Sequence, residues 1–154
     1  MVRMFTHVAK CTNNFIRVPP RPVGPIEVRL PVVVAKKNIS FLIPIRNSLP
    51  DIPEKIKKVD FLVEKVSFHI VKGLVMFDIE FLEDIYYVYN GIVKNAAFYE
   101  LFSDSVSIPE AKSHMEVIYN IDTHLTYKTF EKDILKQIVV NMYIELIEYR
   151  NIFI

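Results

Sequence analysis

The middle of the chain, residues 59–90, alternates between apolar and polar side chains with a period of two. Such a period lines one face of a β-sheet, whereas a helix would repeat every three to four residues. The β-branched and aromatic content favours the same structure. We therefore predict three β-strands joined by tight turns, one of them at Lys72-Gly73, where glycine accepts a positive φ. Their apolar series are Val59/Phe61/Val63, then Val66/Phe68/Ile70 after a one-place shift, and Val75/Phe77/Ile79/Phe81.

Further strands are predicted on both sides of this stretch. Pro31 favours an edge position for the strand that contains it, because proline has no backbone N–H to donate to a neighbouring strand. Asn90-Gly91 lies between two apolar runs, and this dipeptide is the strongest short-range signal for a hairpin. Alternation predicts these strands over residues 26–35, 39–45, 85–89, 92–102 and 115–127.

The C-terminal stretch, residues 134–154, fits two structures equally well. Ile134, Ile138, Met142 and Leu146 would share one helix face, while alternate residues from Ile138 to Leu146 would share one strand face. We predict a strand because Val and Ile dominate and because the other elements are β. The whole pattern then indicates an all-β fold, a β-sandwich of about eight to ten mostly antiparallel strands.

The first 25 residues differ from the rest of the chain. Their apolar side chains show no helical face, and prolines at 19, 20, 22 and 25 prevent regular pairing. We therefore divide the chain into an extended N-terminal arm, residues 1–25, and a β-sandwich body, residues 26–154.

Composition narrows the function classes. A length of 154 residues indicates one domain, and a hydrophobic fraction of 51% is enough for a core. The net charge of +1 gives no reason to expect nucleic-acid binding, and no apolar run is long enough to predict a membrane span.

One cysteine, Cys11, excludes an internal disulfide, and the N-terminal residues lack a signal-peptide pattern. We therefore expect synthesis in a cytoplasm.

Charge is divided unevenly along the chain. The first 50 residues carry eight Lys/Arg and one acidic residue, whereas the remaining 104 carry eleven and seventeen. A positive front and a negative body favour contact between copies, or with an acidic partner.

Candidate chemistry in the sequence is weak. The four histidines, His7, His69, His114 and His124, lack metal-ligand spacing, and we expect surface or structural roles for them. The acids Asp78, Glu80, Glu83 and Asp84 could support acid–base chemistry, but we expect a solvated strand edge. The eight tyrosines could bind sugar or peptide, although packing in alternating strands is favoured. We predict no enzyme activity, no catalytic residue, no metal and no cofactor.

The arm is the more informative feature. Fully extended, it would reach about 80 Å at ~3.3 Å per residue, whereas a body of this size has a radius of gyration of roughly 14 Å. It can therefore fold onto its own body or add a strand to a neighbour, and the second option can give an open filament. Cys11 would then either cross-link subunits or fill a small apolar site. The predicted subunit interface consists of Phe5, Val8, Cys11, Phe15, Ile16 and Val18.

Residues 49–150 resemble the SPOCS domain of spore-coat and morphogenesis proteins from endospore-forming bacteria. The similarity is carried by an acidic Pro-containing lead-in, a V…V strand, a Lys-Gly turn, an apolar strand, an I-x-Y-V strand and a later (I/V)P.A segment. These are Leu49 to Pro53, Val63/Val66, Lys72-Gly73, Leu74 to Phe81, Ile85 to Val88 and, after Phe102, Ile108-Pro109-Glu110-Ala111.

This resemblance implies a structural role in the spore envelope without enzymatic activity. A family member of this kind would be made in the mother-cell cytoplasm and would reach the spore coat or surface when that cell lyses. We therefore expect a self-assembling coat or filament protein whose main partner is a second copy of itself. The alternatives are a module that recruits other spore-coat proteins and a domain that binds envelope glycan.

Overall fold

The computed structural model describes residues 4–8, by their backbone alone, and residues 24–154. Every regular element in these residues is a β-strand, which confirms the all-β prediction. The strands are β1 (Met4–Val8), β2 (Glu27–Ser48), β3 (Lys55–Val71), β4 (Leu74–Tyr89), β5 (Ile92–Ser107), β6 (Glu116–Phe130) and β7 (Asp133–Phe153).

Two antiparallel sheets form a sandwich. One has the strand order β1-β6-β7-β2 and the other the order β3-β4-β5. The central strands β4 and β7 alternate between buried and more exposed residues along most of their length. Their buried side chains belong to a single apolar core between the sheets.

Aromatic rings join the two sheets at several points. The Phe41 ring of β2 stacks on Phe102 of β5, with centroids 5.0 Å apart, and on Phe77 of β4, at 5.8 Å. On the other side of the sandwich, the rings of Phe68 in β3 and Tyr119 in β6 lie 5.1 Å apart. These contacts place β2 over β5 and β6 over β3.

The described residues contain seven strands, where about eight to ten were predicted for the chain, because neighbouring predicted strands are continuous in the structure. The one-place shift near Val63 is a register irregularity between Val63 and Lys65 within β3, not a turn. A bulge adds one residue and changes the phase of the alternation without ending the strand. Residues 26–35 and 39–45 likewise form one strand, β2, which is shifted between Val33 and Ala35.

Two other predictions are confirmed. Asn90 and Gly91 have φ values of 50° and 73° and form the turn of the β4–β5 hairpin. Two consecutive positive φ angles match the twist of the flanking strands. The ambiguous C-terminal stretch is strand β7, which pairs with β6 on one side and β2 on the other.

The Lys-Gly turn and the later Pro-containing segment meet in the structure. Gly73 donates its backbone N–H to the Ala111 carbonyl at 3.0 Å and accepts from the Ile108 N–H at 3.1 Å. Ile108 and Ala111 are both buried. The segment therefore closes one end of the sandwich around the β3–β4 turn, whose glycine has a φ of 76°.

The acidic lead-in closes the other end. Leu49 is buried, and its N–H donates to the Lys132 carbonyl at 2.7 Å. The Asp51 carboxylate accepts from the Tyr87 hydroxyl and from the Lys94 Nζ, each at 3.0 Å. The lead-in is the loop before β3, and these hydrogen bonds connect it to the β4–β5 hairpin and to the β6–β7 turn.

Candidate assembly interface

Strand β1 is the part of the predicted arm that the structure describes. Its backbone pairs antiparallel with β6, from Met4 opposite His124 to Val8 opposite Asn120. It therefore forms one edge of this sheet, and β2 forms the other edge. Without β1, strand β6 would present a row of unpaired backbone groups, which is a template for pairing with another strand.

The predicted interface residues are divided between described and undescribed parts of the chain. Phe5 and Val8 belong to β1, where their backbones lie opposite Thr123 and Asn120. The other four, Cys11, Phe15, Ile16 and Val18, lie outside the described residues. Neither the cross-linking of Cys11 nor the docking of the arm on a neighbour is tested by the structure, and both stay predictions.

The two ends of the connection between β1 and β2 lie well apart. The strands are at opposite edges of a four-stranded sheet, three strand spacings or roughly 14 Å apart at about 4.8 Å each. Val8 also lies level with Asn38, so the start of β2 at Glu27 is roughly 35 Å further along the strand direction, which gives a separation of roughly 38 Å. Residues 9–26 could reach about 60 Å at ~3.3 Å per residue. At full extension the connection therefore exceeds the separation of its own two ends by about 20 Å.

A buried ion pair joins the central strands of the two sheets. Glu83 of β4 and Lys136 of β7 each occupy a position in the inward-facing apolar stripe of their strand. The Lys136 ammonium donates to Glu83 Oε2, and both side chains are inaccessible to solvent. Lys136 also lies 5.2 Å from the centre of the Phe98 ring.

Burial acts on both members of this pair. It raises the pKa of Glu83, against the attraction of the ammonium, and lowers the pKa of Lys136, against the attraction of the carboxylate. The nearby Glu100 carboxylate adds to the rise in the pKa of Glu83 and opposes the fall in the pKa of Lys136, and it accepts a hydrogen bond from the Asn47 side chain at 2.9 Å. Glu83 Oε1 has no hydrogen-bond partner among the described residues. The pair is enclosed by protein and joins the two sheets.

The acidic cluster differs from the solvated strand edge that we expected. Strand β4 is central, not at an edge, and Glu83 faces the core. Asp78, Glu80 and Asp84 lie on the outer face, where they accept hydrogen bonds from the β5 side chains Ser103, Tyr99 and Asn95. The alternation in the sequence indicates that Glu83 is buried, since Glu83 is in phase with Phe81 and Ile85.

The histidines and the other acids form no metal site within residues 24–154. Three histidines, His69, His114 and His124, are exposed. His114 Nε2 lies 2.5 Å from Glu148 Oε1, which lowers the pKa of Glu148. No three His, Cys, Asp or Glu side chains of the described residues come together as metal ligands would.

The charge asymmetry of the sequence is partly satisfied inside the body. Basic residues of β2 lie opposite acidic residues of β7. Arg46 pairs with Asp133, whose pKa is lowered by Ser48 and Arg46, and Lys36 lies 3.9 Å from Glu145. These cations therefore have partners within the chain, so less of the charge is available for contact between copies.

Most described tyrosines pack as expected, but one belongs to a polar patch on the outer face of the first sheet. Tyr87 is buried, and several others are half-buried. Tyr143 borders a shallow depression of about 340 Å³ that is lined by amide, hydroxyl and carboxylate side chains together with Ile39 and Met142. The polar side chains around it are Asn38, Ser40, Asn120, Asp122 and Asn141.

Among the described residues there is no helix of the length and apolarity needed to cross a bilayer. Comparison of the chain with protein-family models, with curated proteins and with solved structures found no match.

Proposed function

We propose that this chain is a self-assembling structural protein of the bacterial spore envelope, in a coat layer or a surface filament. In this proposal subunits are joined when the N-terminal arm of one copy docks on the next. The proposed partner is the chain itself, with other spore-coat proteins as further partners. The protein would be made in the mother-cell cytoplasm and would act without catalysis.

The observation that carries the proposal is the pairing of β1 with the edge of β6. A terminal strand that completes a sheet edge can make the same ladder with its own body or with another body, because the backbone bonds are identical. Exchange of this strand makes a head-to-tail contact, and such a contact forms an open filament unless the rotation closes a ring. Residues 9–26 allow this exchange with a copy whose β6 edge lies within their extended reach of about 60 Å from Glu27.

The segments that resemble the SPOCS domain support a structural role. Leu49 to Pro53 and Ile108 to Ala111 each close one end of the sandwich through backbone and side-chain hydrogen bonds. Their residues contribute to the fold, and the clearest titratable pair, Glu83–Lys136, is sealed in the core. This arrangement suits a structural subunit.

Disulfide trapping tests the exchange directly. Met4 and His124 lie opposite each other, and residues paired across antiparallel strands are within range of a disulfide. In a Cys11→Ser background, a Met4→Cys protein is mixed with a His124→Cys protein under mild oxidation. A covalent heterodimer is expected if β1 docks in trans. Asn141→Cys, on the non-adjacent strand β7, replaces His124→Cys as the control.

Two results would contradict the proposal. One is the absence of heterodimers from the mixture, with an internal disulfide in the double variant Met4→Cys/His124→Cys. The other is polymer formation, seen by electron microscopy, by a chain that lacks residues 1–24. Ordered polymers of the full chain that disappear on this deletion are the expected outcome.

Glycan binding is the second candidate function, and the polar patch around Tyr143 favours it. Amide, hydroxyl and carboxylate groups beside a half-buried aromatic ring suit the hydroxyls and ring faces of a sugar chain. Retention of the protein on purified peptidoglycan should fall in an Asn141→Ala variant and stay unchanged in Gln137→Ala, on the same strand. No retention of the unmodified protein would remove this candidate.

A further inference from the structure

Among the described strands, β5 lies at a sheet edge and lacks the usual protection against pairing. Its register on β4 runs without a shift from Ser107 opposite Leu74 to Ile92 opposite Tyr89, and the strand contains no proline. Edge strands normally avoid open pairing through prolines, bulges and clustered charges. The other two edges within residues 24–154 have such features: Pro31, Pro44 and a register shift in β2, and two register shifts with four lysines in β3.

An apolar row on the outer face of the sheet ends at this edge. Leu62, Leu82 and Tyr99 lie directly opposite one another across β3, β4 and β5. All three are exposed, and the exposure rises toward the edge, from 37% at Leu62 to 54% at Tyr99 and 58% at the neighbouring Leu101. A strand added beside β5 would continue the sheet and cover the end of this row.

We propose that a second copy of this chain occupies the edge, with β5 pairing antiparallel to β5 around a two-fold axis at Tyr99. A two-fold axis perpendicular to the sheet keeps each face on its own side, so residues pair only with residues of the same face. The two apolar rows then meet at Tyr99 and form one continuous row across six strands.

Charge and the apolar row together select this register. An axis at Tyr99 places Lys94 of each copy opposite Asp104 of the other, and opposite charges facing each other stabilise a strand pair. An axis at Ala97 would also place Lys94 opposite an acidic residue, Glu100, but it would place Tyr99 opposite Asn95 and separate the two rows. An axis at Glu100 would place two carboxylates face to face, which is unfavourable. An axis at Phe98 would place Lys94 opposite Phe102 and leave both charges without a partner across the contact.

Lys94 is available for this second contact. In the single chain its ammonium donates to Asp51 at 3.0 Å and lies 4.7 Å from the centre of the Tyr89 ring. An ammonium has three protons to donate, so the bond to Asp51 leaves others for Asp104 of the second copy. This contact uses neither β1 nor the arm, so it is independent of the proposed strand exchange.

The test uses cysteines at and near the proposed axis, in a full-length Cys11→Ser chain. Tyr99→Cys places two thiols directly opposite each other, within disulfide range. Leu101→Cys is the matched control. Two-fold pairing at Tyr99 places the two residues at position 101, one from each chain, about 13 Å apart along the strand at ~3.3 Å per residue. Under mild oxidation we expect a covalent dimer on denaturing gels from Tyr99→Cys and none from Leu101→Cys.

Charge variants provide a second readout. Tyr99→Lys puts two ammonium groups at the axis and should raise the dissociation constant of the dimer about tenfold or more. Leu62→Lys changes the far end of the same row and should leave this constant unchanged. No covalent dimer from Tyr99→Cys, equal dimer from Leu101→Cys, or equal effects of Tyr99→Lys and Leu62→Lys would overturn the proposal.

Discussion

Glu83 and Lys136 bond to each other across the core, each from the central strand of its own sheet. Each interrupts an apolar stripe at one position, and the two interruptions face one another. A shift of one sheet relative to the other would leave two buried charges without partners, at a cost of several kcal/mol per ion. The pair therefore fixes how the two sheets align.

Breaking this pair should be costly. We expect Lys136→Met to lower the free energy of unfolding by about 3–5 kcal/mol, because Glu83 is then buried without an opposite charge. The pKa of Glu83 should rise further once the ammonium is gone. A group whose pKa is raised by folding destabilises the fold as pH rises through that pKa, so the loss should be larger at pH 8 than at pH 5. Urea unfolding at the two pH values measures this.

Replacing both members should cost little. We expect the double variant Glu83→Leu/Lys136→Met to unfold within about 1 kcal/mol of the unmodified chain, or to be stabilised by about 1–4 kcal/mol. A double-mutant cycle of the two single variants and the double variant gives the coupling energy. Additive losses would contradict the role of the pair as a joint.

Gly73 should resist replacement for a backbone reason. A Cβ at this position would meet no atom within 4 Å, so space is available, but the backbone φ is 76°. We expect Gly73→Ala to lower the free energy of unfolding by about 1–2 kcal/mol, since the left-handed region is unfavourable for residues with a Cβ. Gly73→Asn should lose less, because asparagine tolerates this region better. Equal losses in the two variants would mean that the hydrogen bonds to Ile108 and Ala111, rather than φ, determine the cost.

Asp51 should make stability depend on pH in the acid range. The hydrogen bond from Lys94, with a further one from Tyr87, lowers the pKa of Asp51 in the folded chain. The resulting stabilisation is present above the unfolded pKa of about 3.9 and is lost as pH falls through the lower folded value. The urea midpoint of Asp51→Asn should therefore lie below that of the unmodified chain at pH 7 and converge with it in acid. Glu110→Gln, in an exposed loop, controls for the loss of one carboxylate.

Salt should separate two driving forces for arm docking. If the basic arm is attracted to the acidic body, polymer formation should weaken between about 0.01 and 0.5 M salt, because exposed charges are screened beyond about 10 Å at 0.1 M. Light scattering during assembly measures this. Assembly that does not change with salt would indicate that strand pairing and apolar burial dominate.

The alternation along the chain predicted the fold class, the Asn90-Gly91 hairpin and the strand at the C-terminus, because each depends on local periodicity. It placed a turn where β3 has a register shift near Val63, since a bulge and a turn both change the phase. Glu83 and Lys136 were in phase with buried residues, but their pairing depends on how two distant strands face each other. The ladder between β1 and β6 is equally non-local, and five residues at the N-terminus carry little signal of their own.

A terminal strand that pairs with the β6 edge of its own chain would also inhibit assembly. While β1 fills the β6 edge of its own chain, that edge is not available to a neighbour. A tethered segment competes at an effective concentration that is in the millimolar range for a short linker and falls as the linker lengthens. Under the proposed strand exchange, single chains would stay closed when dilute and would open into polymers only where they are crowded together, so the time and place of assembly would be set by local accumulation.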